Sequence, residues 1–160
     1  MADWPEAVER VAAFVRECGA EARIEEFEIE TATADAAAHA VGCDIGQIVK
    51  SLVVLCDGRP VVALVPGDRR GDTMKIAHAV GAANGRIAHA REVPALTGFA
   101  PGAVAPFPLR GIDRVLIDRV LLAQDEVWIG AGSTRHLATL PVRELIRLTK
   151  AAPADVVLAD

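Results

Sequence analysis

The chain has 160 residues, a formal net charge of −5 and a hydrophobic fraction of 52%. That length suits one domain with a sizeable core, here expected to run over residues 1–160, and the composition argues against disorder. A pI near 5.4 argues against tight non-specific binding of duplex DNA, which needs a basic face, yet leaves room for contact with one RNA end, where a few local charges suffice. Aromatic residues are only 4%, and of 17 basic residues just three, Lys50, Lys75 and Lys150, are lysines. The scarcity makes each lysine worth placing. The longest near-continuous apolar run, Ser51 to Cys56, is far short of the roughly 20 residues of a membrane helix. The start, Met1 to Glu6, lacks the positive region and apolar core of a signal peptide, so a cytoplasmic protein with no membrane partner is expected. Cys18, Cys43 and Cys56 are odd in number, widely spaced and form no C-x-x-C, which points to free thiols.

Along the chain, Val8, Val11, Ala12 and Val15 recur at helical spacing, with Asp3 expected as the cap, Pro5 in the first turn and Cys18-Gly19 as the end. Arg23 to Glu30 reads as a strand, Thr33 to Val41 as a helix stopped by Gly42, and Ile45 to Val49 as a short turn. Lys50 to Cys56 and Val61 to Val65 form the clearest pair of strands, joined by the turn Asp57 to Pro60. Both are nearly all apolar, so both faces are expected to be covered. Pro66 to Gly71 is a polar loop, and Asp72 caps a helix reaching about Val80. A short strand is expected at Ile87 to Ala90 and a short helix at Glu92 to Leu96.

Gly98 to Pro108 carries three prolines and two glycines among apolar residues. That excludes regular structure and suggests a rigid loop packed over something. Arg114 to Ile117, Glu126 to Gly130 and His136 to Leu140 read as strands. Pro141 opens a last helix with Val142, Leu145, Ile146 and Thr149 on one face, and Ala151 to Asp160 is taken as a tail. Strands and helices mix without strict βαβ alternation, which indicates an α+β fold with a mostly antiparallel or mixed sheet.

Two residues stand out chemically. Lys50 opens an apolar strand. A strand-end lysine can simply snorkel to water, or its ammonium can point into a pocket where a low dielectric strengthens its pull on a phosphate or carbonyl oxygen. His136 follows the turn Gly130 to Arg135. It is either a hydrogen-bonded strand-end histidine or a group that holds a water or an amine. Gly130 and Gly132 lack the third glycine and following helix of a dinucleotide fingerprint. His39, His78 and His89 have no partners at metal-ligand spacing, so no metal and no cofactor are expected. Ser51 and Ser133 are the only serines, and neither sits in a nucleophile elbow. Arg69 and Arg70, in the loop before Asp72, are ordinary solvated turn residues or contacts for an RNA backbone.

Taken in order, Ile48-Val49-Lys50-Ser51-Leu52, the hairpin ending Leu64-Val65-Pro66-Gly67-Asp68-Arg69-Arg70, Gly98 with Gly102-Ala103-Val104-Ala105-Pro106-Phe107, Ile117-Asp118, and Gly130-Ala131-Gly132-Ser133 with His136-Leu137 resemble the YbaK-type aminoacyl-tRNA deacylase family. That family includes the prolyl-tRNA synthetase editing domain and its free-standing relatives. The resemblance spans Glu21 to Leu148 and implies a mixed, mostly antiparallel barrel-like sheet of six to seven strands surrounded by helices. It implies hydrolysis of a small mischarged amino acid from a tRNA 3′ end, tRNA(Pro) foremost, with recruitment through a prolyl-tRNA synthetase or an elongation factor as further partners. Lys50 matches the family's essential lysine, Gly102 to Pro106 its G-x-x-x-P loop, and His136 a histidine of some members. On this reading Lys50, Gly102, Ala103 and His136 are catalytic, with backbone N–H groups of Gly102 and Ala103 as oxyanion donors. Ser51, Gly98, Phe99, Pro106, Gly130, Gly132 and Ser133 bind substrate. Ala103 and Pro108 stand where many relatives have Gly, and Ser51 where the alanine-specific branch has Asn, which leaves the amino acid removed open. A non-catalytic module binding a tRNA end or a synthetase is the alternative, and a small-metabolite pocket a third.

Overall fold

The computed structural model describes residues 3–159. Helix α1 (Glu6–Glu17) buries Val8 and Val11. Its N-cap is Pro5, with no side-chain capping bond, so the expected capping role of Asp3 is corrected: the helix begins too late for that side chain. Strand β1 (Arg23–Glu26) is shorter than expected. It pairs with β7 (His136–Pro141) from Arg23↔Thr139 to Glu26↔His136, and ends because its partner begins there. Helix α2 (Ala34–Val41) has Thr33 as a side-chain N-cap and Gly42 in the left-handed region at φ 73°, the position where glycine stops a helix without steric cost.

Strands β2 (Val49–Cys56) and β3 (Arg59–Pro66) form the central hairpin. Its turn is only Asp57-Gly58, both at positive φ (49° and 82°), the geometry that matches the twist of the flanking strands. The expected four-residue turn is therefore too long, and Arg59 and Pro60 belong to the strand. Helix α3 (Thr73–Ala79) is capped by the Asp72 carboxylate, which accepts from the N–H groups of Met74 and Lys75. Strand β4 (Gly85–Ile87) pairs with the end of β2, two residues before the expected start. A 3₁₀ turn (Ala90–Glu92) precedes the short helix α4 (Val93–Thr97). The Pro/Gly-rich segment after it is irregular, and Phe99, Ala105 and Phe107 are buried in the core.

Strand β5 (Val115–Asp118) runs parallel to β3. Strands β6 (Glu126–Ser133) and β7 form a second hairpin with a register shift between Gly130 and Ser133. Helix α5 (Val142–Thr149) follows, and β8 (Ala152–Ala154) adds parallel to β5. The expected tail is thus partly a strand. Among the described residues the strands make two sheets, β1-β7-β6 and β4-β2-β3-β5-β8. The mixed α+β class holds, but no barrel is closed and the strands are eight. The sheets touch where Ile48 bridges Trp128. The main core lies between them, with Val53, Leu64, Ile117, Ile129 and Leu140 at its centre. A second core packs Val54, Ala63 and Leu116 under Ile76 of α3.

Candidate functional site

The seam between the sheets opens into a cavity of about 240 Å³. That is smaller than the roughly 300 Å³ at which pockets for drug-sized ligands begin, so it suits a small group. Its walls come from the start of β2 (Ile48, Val49, Lys50, Ser51), the approach to α2 and its first turns (Thr31 to Ala34, Ala37), the irregular loop (Gly102, Val104), β6 (Gly130) and β7 (Leu137). Lys50 is the only charged residue in this lining, and no Asp, Glu or His is part of it.

Lys50 and Ser51 are neighbours on one strand, so their side chains leave opposite faces. Both residues line the cavity, which wraps the strand's first residues. Lys50 is half-buried and its Nζ donates to the carbonyl of Arg69 at 2.6 Å. Burial pushes its pKa below the ordinary lysine value of 10.5; Asp68 pulls it back up and Arg70 pushes it further down. The loop that carries Arg69 is fixed by the Gly67 N–H bond to the Ile48 carbonyl (2.7 Å). Gly67 lies so near Ile45 that a Cβ would stand 2.6 Å from its carbonyl oxygen. Ser51 Oγ is buried with no hydrogen-bond partner among the described residues, a condition that costs free energy unless something else fills the need. The other two hydroxyls of the lining are engaged: Thr33 accepts from Ala36 N–H, and Thr31 donates to the Thr134 carbonyl at 2.8 Å.

Glycines set the far wall. A Cβ on Gly130 would stand 2.9 Å from the Val104 carbonyl oxygen, so only glycine lets the loop lie against β6. Gly102 has φ 77°, and its N–H has no acceptor among the described residues. The Ala103 N–H, by contrast, bonds to the Ala100 carbonyl at 3.0 Å. Of the two amides expected as oxyanion donors, that of Ala103 is thus engaged within its own loop and that of Gly102 is not.

The other site residues expected from sequence lie elsewhere. His136 leaves the face of β7 opposite Leu137 and is not part of the cavity lining; it is 2% exposed. Its Nδ1 meets Ser133 Oγ at 2.5 Å, and that oxygen also accepts from the Arg135 N–H at 3.0 Å. A hydroxyl has one proton and two lone pairs, so this pair forms with the hydrogen on either Oγ or Nδ1 and holds the ring against its own turn in both cases. Nε2 has no hydrogen bond; Glu26 Oε2 is 3.6 Å away, and the Trp4 ring stands edge-on at 5.5 Å. Burial holds the imidazole pKa below 6.5, with Glu26 opposing. Gly132 is where a Cβ would meet the Ala7 backbone of α1 at 2.8 Å, at φ 103°. Gly98 ends α4 and its carbonyl accepts from Arg10, whose guanidinium stacks over buried Phe99 at 5.1 Å. Pro106 lies beside Phe14 and Phe107, away from the cavity.

Sequence reasoning missed Thr31 and Thr33. Thr31 is 5% exposed, and its N–H and Oγ both bond to the Thr134 carbonyl. Since Phe27 N–H also bonds to the Arg135 carbonyl, the β6–β7 turn clasps the segment that walls the cavity. The one available signal was the run Thr31-Ala32-Thr33 ahead of an alanine-rich helix.

Residues 28–148 match the aminoacyl-tRNA editing domain family. The chain belongs to that family. It is 37% identical over 89 residues to a proline–tRNA ligase of Nitratidesulfovibrio vulgaris, covering 56% of this chain and 15% of the ligase. It is 30% identical over 107 residues to the proline–tRNA ligase of Shouchella clausii, covering 67% of this chain and 19% of the ligase. The chain thus spans less than a fifth of the length of those relatives. The crystal structure of a protein proposed as a trans-editing enzyme for prolyl tRNA synthetase superposes with a TM-score of 0.87 at 36% identity, covering 98% of this chain and 100% of that one. A hypothetical protein superposes equally well (TM-score 0.87, 32% identity, 93% and 99% covered). No helix of the described residues is long and apolar enough to cross a membrane.

Proposed function

We propose that this protein is a trans-editing deacylase that hydrolyses the ester between a small mischarged amino acid and the 3′ end of a tRNA, with tRNA(Pro) as the first candidate. The observation that carries the proposal is the chemistry of the cavity: small, mostly apolar, with one cation, one amide without a partner and no carboxylate or imidazole. An aminoacyl ester is already activated, so its hydrolysis needs stabilisation of a developing oxyanion and a positioned water more than it needs a nucleophile.

In this reading the amino acid side chain occupies the space between Ala37, Val104 and Leu137, and Ser51 Oγ meets a polar group of the substrate. The Gly102 N–H and the Lys50 ammonium face the charge that develops on the carbonyl or the adjoining phosphate. Because the lining offers no carboxylate or imidazole, the substrate's own 2′-hydroxyl relays the proton of the attacking water to the departing 3′-oxygen as the acyl–oxygen bond breaks, and the amino acid leaves as the free acid. No acyl-enzyme forms. His136 acts from behind β7 by fixing the β6–β7 turn and, through Thr134, the wall at Thr31. A small cavity supplies discrimination because one methylene is worth only about 1–3 kcal/mol in a single pocket, so a second, smaller site has to supply the rest.

The test is a deacylation panel with tRNA(Pro) charged with alanine, cysteine, 2-aminobutyrate, serine and threonine. Turnover of at least one, with proline spared, is the expected result. Binding of tRNA without turnover of any member would instead make the chain a non-catalytic tRNA-end module.

A further inference from the structure

The C-terminal segment is bonded to the loop after β3 in a way no expectation from sequence included. The Leu158 N–H donates to the Arg70 carbonyl and the Asp72 N–H to the Val156 carbonyl, both at 2.8 Å, with Gly71 bridging Val157 between them. Two side chains lock this shelf to the rest of the fold. Lys75 Nζ bonds to the Val157 carbonyl at 2.8 Å and to Asp155, and Asp118, 1% exposed, accepts from the Val156 N–H at 3.0 Å.

The shelf is continuous with the cavity, since the Arg69 carbonyl at its edge is the one that holds Lys50 Nζ. A cleft of about 410 Å³ lies under it, lined by Arg69, Lys75, Arg119, Val120 and Leu158 together with Asp118 and Asp155. Arg70 and Arg119 are exposed, and Val120 and Leu158 are each 44% exposed. The nearby acids are largely committed. Asp155 pairs with Lys75, and Asp118 also accepts from the Val120 N–H; Asp68, beside Lys50, is the exception. On a chain of net charge −5, this face gathers Lys50, Arg69, Arg70, Lys75 and Arg119 around it.

The opposite end of the β2–β3 hairpin makes a useful contrast. Arg59 and Arg114 line a larger cleft of about 690 Å³ there, but Asp57 and Asp113 line it too. Arg59 is separated from the level of Lys50 by six strand residues, or roughly 20 Å at strand rise. Two arginines face two aspartates in that cleft, against three basic and two acidic residues in the lining of the shelf cleft, and it has no link to Lys50.

We propose that the shelf carries the sugar–phosphate backbone of the RNA whose 3′ end enters the Lys50 cavity, with Arg70 and Arg119 on phosphates and Val120 and Leu158 against ribose or base faces. The occupant follows from charge complementarity with a polyanion and from the continuity of shelf and cavity. It rests on the deacylase reading for the direction in which the RNA runs, but it is testable without turnover.

The experiment measures binding of uncharged tRNA(Pro) transcript by fluorescence anisotropy across a salt series. It compares the wild type, Arg70→Gln, Arg119→Gln, their double variant and Arg59→Gln. Each shelf substitution is expected to raise Kd about fivefold near 0.15 M salt and to lower the slope of log Kd against log salt by about one. Arg59→Gln is expected to leave both unchanged. In parallel, the ratio of deacylation rate on full-length tRNA to that on a 3′-aminoacyl-adenosine ester is expected to fall in the double variant. An unchanged Kd and slope in the double variant overturns the proposal, as does an equal loss in Arg59→Gln or the absence of salt-dependent binding by the wild type. If the wild type hydrolyses no ester yet binds tRNA through Arg70 and Arg119, the deacylase reading falls and the shelf stands.

Discussion

The two faces of the β6–β7 hairpin put similar sequence features to different uses. On one, Gly130 and Leu137 border the cavity that Lys50 enters. On the other, Gly132 lies against the α1 backbone and His136 is enclosed by Trp4, Ser133 and Glu26. Each face joins a glycine at a close approach to a basic side chain near a strand start. They differ in what the basic group can still do. The Lys50 ammonium holds one carbonyl and keeps two further protons for a ligand. The His136 ring is bonded through Nδ1 to its own turn and is not part of the cavity lining. A basic residue at a strand entry is thus a reactive candidate only where its polar end opens on empty, ligand-sized space.

Substitutions can break this comparison, and the largest expected effect is on the cavity face. Lys50→Ala is expected to lower kcat/KM for deacylation by about 100-fold or more, with an unchanged melting temperature. The paired glycines come next. Gly132→Ala puts a Cβ into the Ala7 backbone at positive φ, and is expected to cost about 2 kcal/mol or more of stability, read by denaturant unfolding. Gly130→Ala pushes Val104 away, and is expected to lower deacylation about tenfold while costing less stability than its partner. Equal stability losses for the two would erase the distinction between the faces.

Smaller effects sharpen it. Thr31→Val keeps the N–H bond to Thr134 and deletes the hydroxyl bond, worth about 1 kcal/mol. The expected result is a few-fold loss of discrimination between small amino acids in the deacylation panel. The Lys50 pKa is below 10.5 because of burial, so the alkaline limb of kcat/KM, where the ammonium loses its proton, is expected below that pH. A limb at the ordinary lysine value would mean that the ammonium is not the group in use.

The His136 effect is on stability. Its folded-state pKa lies below 6.5, so the unfolded chain takes up the proton first as pH falls. The stability tied to the neutral ring is complete above pH 6.5 and is lost as pH drops toward the folded value. His136→Gln is expected to flatten that slope in melting temperature between pH 7.5 and 5.

Much of the fold was legible because its elements carry local punctuation. Thr33 and Gly42 bracket α2, Asp72 caps α3, and Asp57-Gly58 turns the central hairpin. What was not legible depends on distant partners. β1 stops at Glu26 because β7 begins opposite it, and β8 is a strand only because β5 offers an edge. The nearly all-apolar strands could not reveal that the sheets meet at Ile48 and Trp128 without closing a barrel. In the site, Lys50 stood out as a lone cation in an apolar strand, and the glycine-rich loop as a rigid wall. Whether His136 faced that wall depended on strand parity around a register shift. Thr31 carried no local signal beyond the threonine run ahead of α2, since its role exists only through Thr134, 103 positions away.

The most direct test of the account measures deacylation of mischarged tRNA(Pro) by wild type, Lys50→Ala and His136→Gln side by side at pH 7.5, each with its melting temperature. Near-complete loss with an intact fold is expected for Lys50→Ala. For His136→Gln, retained turnover within about tenfold is expected, with a changed melting profile. Full turnover by a folded Lys50→Ala, or abolished turnover by a fully stable His136→Gln, would contradict this division of roles.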